Sequence, residues 1–128
     1  MMKILIDAYA WIEYLQGSIE GEKVHKILQG SDECLTLTIT LCEVISKVKR
    51  NKGNVEIAFE AIHSNSRIID PSSNVSKEAG LIHAKMREKI KNFGLVDSLL
   101  LASAKQYGAK ILTGDNHFKG FKEVIFLR

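Results

Sequence analysis

Ile4-Leu5-Ile6-Asp7, leading into Ala8-Tyr9-Ala10-Trp11-Ile12, is the stretch on which the fold turns. Three consecutive aliphatic residues are too few for a helix, and they lack the in–out alternation of a half-exposed strand. They read as a strand buried on both faces, stopped by the carboxylate of Asp7. Strands of that kind belong to parallel sheets covered by helices on both sides. Immediately downstream the period changes. Tyr9, Trp11, Ile12 and Leu15 recur at roughly helical spacing over 9–16, and Gly17 ends the run.

The same alternation continues along the chain. Val24, Ile27 and Leu28 predict an amphipathic helix closed by Gly30, and Cys34 to Ile39 reads as a second strand. Leu41, Val44, Ile45 and Val48 predict a helix over 41–52, and Ile57, Phe59, Ala61 and Ile62 another. Arg67 to Asp70 is a short strand ahead of Pro71, which favours an extended conformation at Asp70. Val75, Ala79, Ile82, Met86 and Ile90 form the stripe of one long helix. Leu95 to Tyr107 is apolar nearly all round, predicting a central helix that ends at Gly108. Lys110 to Thr113 and Val124 to Phe126 are the last two strands. This order predicts an α/β protein with a central, mostly parallel sheet and helices on both faces.

With 128 residues, the chain is expected to form one domain. A hydrophobic share of 45% with 26% charged residues is ordinary globular composition and excludes disorder. Cys34 and Cys42 lack metal-ligand spacing and are expected to be reduced, buried thiols. The apolar start is cut short at Asp7, and no stretch approaches the ~20 apolar residues of a membrane span. The expectation is therefore a cytoplasmic protein with no membrane partner. The net charge of +3 hides an asymmetry: residues 1–46 carry 3 basic and 7 acidic side chains, residues 47–128 carry 15 and 8. An acidic site within a basic surface would give that split.

Parallel sheets place their functional crevice beyond the carboxyl ends of the strands. Asp7 ends the first strand, and Asp115 lies two residues past the strand ending at Thr113. Glu43 and Asp97 lie near the starts of two helices. Each alone has a structural explanation. Asp7 and Asp97 suit helix N-caps, Thr40-x-x-Glu43 fits a capping box, and Asp115 suits a turn. Four acids at equivalent positions carry more weight, because close carboxylates raise one another's pKa and a divalent cation relieves the repulsion. A cation so held polarises phosphoryl oxygens and lowers the pKa of water, as phosphodiester hydrolysis requires. Lys47 and Arg50 share a helix face with Glu43 and suit phosphate contacts, although Glu43 and Lys47 also fit a simple i,i+4 pair. Lys85, Arg87, Lys89 and Lys91 read as a solvated basic face. His117 is read as a turn or packing residue, Glu13 as solvent-facing, and Trp11 and Tyr14 as core or dimer contacts.

Four segments resemble, in order, the motifs of the PIN-domain family: Leu5-Ile6-Asp7-Ala8-Tyr9-Ala10-Trp11-Ile12-Glu13-Tyr14, Thr40-Leu41-Cys42-Glu43-Val44-Ile45-Ser46-Lys47, Leu95-Val96-Asp97-Ser98-Leu99-Leu100-Leu101-Ala102-Ser103-Ala104 and Ile111-Leu112-Thr113-Gly114-Asp115-Asn116-His117-Phe118. The likeness spans essentially the whole chain at the lengths of the compact VapC-type members. It implies a PIN-like three-layer sandwich over residues 1–128 and a metal-dependent endoribonuclease. By that resemblance Asp7, Glu43, Asp97 and Asp115 hold Mg²⁺ or Mn²⁺ and activate water against an RNA backbone. Lys47, Arg50 and Thr113 are the substrate contacts expected beside them. The resemblance also implies the toxin of a type II toxin–antitoxin pair, with a small antitoxin and a homodimer as partners. One departure is visible: Ala8 and Tyr9 occupy places where the family commonly has a small hydroxyl residue.

Three other readings compete. An RNA-processing nuclease without an antitoxin would share every motif. A catalytically silent PIN-like module binding RNA or protein would not need all four acids. A phosphorylated receiver-type module shares the length and alternation, but Asp70 is the only acid ending a middle strand and no lysine follows a late one. No serine lies in a Ser-His-Asp pattern and no glycine-rich phosphate loop occurs.

Overall fold

Five parallel strands form one sheet in the order β3-β2-β1-β4-β5, in a computed structural model that describes residues 1–128. The elements are β1 (Lys3–Ile6), α1 (Ala8–Gln16), α2 (Ile19–Gln29), β2 (Glu33–Leu37), α3 (Thr38–Arg50), α4 (Val55–Asn65), β3 (Arg67–Ile69), α5 (Ser73–Met86), α6 (Leu95–Tyr107), β4 (Ala109–Thr113) and β5 (Val124–Phe126). A 3₁₀ turn, Asn116–Phe118, lies between the last two strands. The expected α/β sandwich is present, and the sheet is wholly rather than mostly parallel. Its order separates it from the 2-1-3-4-5 arrangement of receiver-type domains. No helix is long and apolar enough to cross a membrane.

The two-faced burial of β1 follows from its sequence. Ile4 and Ile6 point into a core with Trp11, Val24, Val44 and Ile62 from α1–α4, while Leu5 points into a second core with Phe93, Leu100, Ala104 and Phe118. α5 packs outside α6 through Val75, Ala79 and Ala102. In a parallel sheet the crossover helices run back against the strands, so helix starts and strand ends share one edge. The chain leaves β1 toward β2 on one side and returns to β4 on the other. The ends of β1 and β4 are therefore the switch point of the sheet.

Several boundaries differ from the sequence expectation, and those of α3 and α5 matter most. The second strand stops at Leu37, and α3 starts at Thr38 rather than Leu41. Glu43 consequently lies in the second turn, Leu37 provides no side-chain cap, and the buried Thr40 hydroxyl has no hydrogen-bond partner. The Thr40–Glu43 capping box is not formed. α5 ends at Met86, and Ile90 packs from the following turn against the core around Phe93. Cys34 is buried as expected, whereas Cys42 is exposed on α3. Gly17 has φ +69°, the left-handed conformation that lets its N–H close the end of α1.

Trp11 is completely buried, which makes it core rather than a dimer contact. Its indole N–H donates to Thr36 Oγ1 at 3.1 Å, Thr36 pairs with Ser66 Oγ at 2.8 Å, and Ser66 Oγ donates to the Ile62 carbonyl at 2.7 Å. This chain satisfies every polar group that β2, α1 and α4 bury together. Thr36→Val leaves the indole N–H without an acceptor and should cost about 1–3 kcal/mol in urea unfolding. Adding Trp11→Phe to Thr36→Val removes the orphaned donor, so the double variant should lose less than the sum of the two single losses.

Candidate active site

Asp7 follows β1 directly, and its carboxylate caps α1 by accepting the Ala10 N–H at 2.9 Å. Asp7 is only 4% exposed, which is uncommon for an acid. Burial pushes its pKa up to about 7; hydrogen bonds from the Thr113 hydroxyl and Ala10 N–H oppose the rise, and the charges of Asp115 and Asp97 add to it. Asp115 follows β4 and starts the 3₁₀ turn, its Oδ1 accepting the His117 N–H at 2.9 Å. Thr113 Oγ1 accepts the Asp115 N–H at 3.0 Å. Thr113 is fully buried, so this expected substrate contact instead holds two acids in place.

Asp97 lies in the first turn of α6 rather than at its cap. Gly94 is the N-cap, and its N–H donates to Asp97 Oδ2 at 2.9 Å. The same oxygen faces His117 Nδ1 at 3.1 Å. Glu43 reaches the group from α3. Its residue surface is exposed, yet desolvation of the carboxyl, with the nearby charges of Asp97 and Asp115, raises its pKa. The charges of Asp97 and Asp115 thus bear on both Asp7 and Glu43 at the switch point. None of them forms an ion pair with a lysine or arginine. The Glu43–Lys47 pair in particular is not made.

Lys47 and Arg50 line a cleft of about 500 Å³ between α1 and α3 with Glu43, Tyr9 and Glu13. Glu13, expected to face solvent, is half-buried and accepts the Ser18 hydroxyl at 2.7 Å. Tyr9 does not replace the missing hydroxyl residue after Asp7. Its OH turns away to Glu20 at 2.9 Å, and its ring lies so close to Gly114 that no Cβ fits there. Arg128 lies over that ring, 5.5 Å from its centroid, and donates from Nε to the Gly114 carbonyl at 2.8 Å.

His117 is the site member that the sequence reading assigned to packing. Its Nδ1 lies 3.1 Å from Asp97 Oδ2 and 3.9 Å from Asp115 Oδ1, and one ligand atom from each of the three falls within 4.8 Å of the others. The separation of 20 residues between Asp97 and His117 left no local signal. Only the step from α6 into β4 and the following turn brings them together. Phe118, fully buried against Phe93 and Phe121, anchors that turn.

The raised pKa of Asp7 fixes a pH dependence. The folded protein holds this proton up to about pH 7, whereas the unfolded chain releases it near 3.8. Between those values the native state binds more protons, so the Asp7 contribution to stability falls as pH rises from about 4 to 7. In metal-free buffer, Asp7→Asn should therefore be more stable than wild type to urea at pH 8, by on the order of 4 kcal/mol, and the difference should vanish toward pH 4. Equal or lower stability of the variant at pH 8 would mean that the carboxylate is compensated there.

A family model described as PIN domain matches residues 4–124. No curated protein matches the sequence significantly. Among solved structures, the chain is similar to one in a toxin–antitoxin complex from Klebsiella pneumoniae, with TM-score 0.74 and 20% identity over 98% of each chain. It is similar to Mycobacterium tuberculosis VapC20, a sarcin–ricin-loop-cleaving toxin, with TM-score 0.76 and 19% identity over 94% of this chain and 98% of that one. VapBC2 from Rickettsia felis, bound to a fragment of promoter DNA, gives TM-score 0.76 and 18% identity over 98% and 97% of the two chains. At such identities these structures speak for the fold. With the family match running from the first strand to the last, the chain belongs to the PIN-domain family.

Proposed function

We propose that residues 1–128 form a single nuclease domain, a divalent-metal-dependent endoribonuclease acting as the toxin of a toxin–antitoxin pair. The observation that carries this reading is the set of four neighbouring carboxylates, Asp7, Glu43, Asp97 and Asp115, with no basic side chain paired to them apart from His117. Repulsion of that kind, around an acid whose pKa burial has already raised, fits a bound cation better than a purely structural role. The oxygen-rich donor set suits Mg²⁺ or Mn²⁺. Such an ion, when bound, supplies Lewis acidity toward a phosphoryl oxygen and a hydroxide-like nucleophile near neutral pH.

The residues of the chain do the remaining work. Asp7 offers a carboxylate whose orientation is fixed by the Ala10 amide, and Asp97 one fixed by the Gly94 amide. Asp115 is fixed by its cap on the 3₁₀ turn. Glu43 stands at the cleft mouth, where its raised pKa leaves it ready to accept a proton from water as the nucleophile forms. Lys47 and Arg50 line a cleft that Glu43 also lines, and they would hold the flanking phosphates of a polyanion. Of the 15 acidic residues, setting these four aside leaves 11 against 18 basic ones, a charge of +7 around the site. That excess draws RNA toward an otherwise repellent acidic pocket.

The likeness to chains in toxin–antitoxin complexes supports an antitoxin as partner. Ile57 and Phe59 on α4 are large and exposed, and Ile57 adjoins an apolar cleft with Ile12, Leu15 and Val48, a surface suited to a protein partner. The four intact acids favour catalysis over a silent binding module. RNA cleavage should require Mg²⁺ or Mn²⁺, stop in EDTA, and resume when the ion is restored. Asp7→Asn and Asp97→Asn should each lower the rate more than about 100-fold without loss of fold, followed by gel assay and circular dichroism. Cleavage that survives EDTA, or survives both substitutions, contradicts the reading.

A further inference from the structure

We propose that His117 is a direct nitrogen ligand of the cation, together with Asp97 and Asp115, and that it biases the site toward Mn²⁺ over Mg²⁺. This rests on the metal-dependent reading above and adds a donor type that four carboxylates do not supply. Three observations support it. First, His117 Nδ1 faces two site carboxylates at once, at 3.1 and 3.9 Å. An octahedral ion with bonds of ~2.1 Å separates adjacent donor atoms by ~3.0 Å, so the Asp97–His117 spacing already matches a shared coordination edge.

Second, the ring is held for this purpose from its own backbone. The His117 N–H is tied to Asp115 Oδ1, and the neighbouring Phe118 is fully buried, which leaves the imidazole a short, fixed reach into the cluster. Phe93 covers the ring from one side with its centroid 6.0 Å away. Third, His117 is alone among the four histidines in touching a carboxylate. His63 faces the Phe59 carbonyl, His25 stacks on Tyr14, and His83 contacts no acid. Imidazole is a good donor for transition metals and a poor one for Mg²⁺, which prefers oxygen and keeps its waters. A nitrogen in this position therefore shifts preference along the series without altering the acids.

The test is pulsed electron paramagnetic resonance of Mn²⁺ bound to the full chain, with calorimetric titration of Mn²⁺ and Mg²⁺. Wild type should show modulation from one directly bound imidazole nitrogen, changing in the expected way when the histidines carry ¹⁵N. His117→Asn should lose that modulation while still binding Mn²⁺, and its Mn²⁺-over-Mg²⁺ preference should drop about 10-fold or more. The isotope-labelled wild type decides the matter even if the variant folds poorly. Mn²⁺ binding that depends on Asp7 and Asp97 but shows no nitrogen coupling overturns this inference and leaves the metal reading intact. Absence of any Mn²⁺ binding removes both.

Discussion

Burying one carboxylate at the end of the central strand is the constraint from which the rest of the site follows. Asp7 lies between the two strands where the chain reverses direction across the sheet, and it is almost wholly shielded from water. A charge there is costly unless something answers it. The chain supplies two hydrogen bonds, from Ala10 and Thr113, and then surrounds the group with more negative charge. No arginine or lysine is brought in to neutralise it. A structure built for stability alone would not be arranged this way, because each neighbouring acid raises the cost of the others.

The parallel topology makes the convergence possible. Strands that all run one way end on one edge, and the helices between them start on that same edge. Asp7 and Asp115 arrive from strand ends, Asp97 from the first turn of α6 and Glu43 from the second turn of α3. Backbone amides at the caps then fix three of the four carboxylates. Ala10 holds Asp7, Gly94 holds Asp97, and His117 holds Asp115. Caps usually serve helix stability. Here the same bonds also fix how each carboxylate is held at the shared edge. Lys47 and Arg50 stay outside that inner group, at the cleft wall, and none of the four acids pairs with a lysine or arginine.

Much of this was legible from residue order. The run Ile4-Leu5-Ile6 predicted a doubly buried strand because no amphipathic alternation interrupted it, and all five strands and six helices were anticipated. The errors have physical causes. Thr38 and Ile39 are β-branched and continue the strand-like pattern, yet the chain turns into α3 there, where tertiary packing overrides local propensity. That shift placed Glu43 one turn deeper and dissolved a capping box that its spacing with Thr40 had imitated. Ile90 continued a helical stripe although its contact is made from a turn. His117 was the most consequential omission, because its partner Asp97 is distant in sequence and no local pattern joins them. Thr113, expected to meet substrate, has its hydroxyl spent inside the site.

The carboxylate edge at the switch point is proposed to hold a divalent cation. Anomalous diffraction from crystals grown with Mn²⁺ tests this most directly. The expected result is a manganese peak bounded by Asp7, Asp97 and Asp115, absent from crystals of Asp97→Asn. No peak at that edge under saturating Mn²⁺, or a peak unaffected by Asp97→Asn, would contradict it.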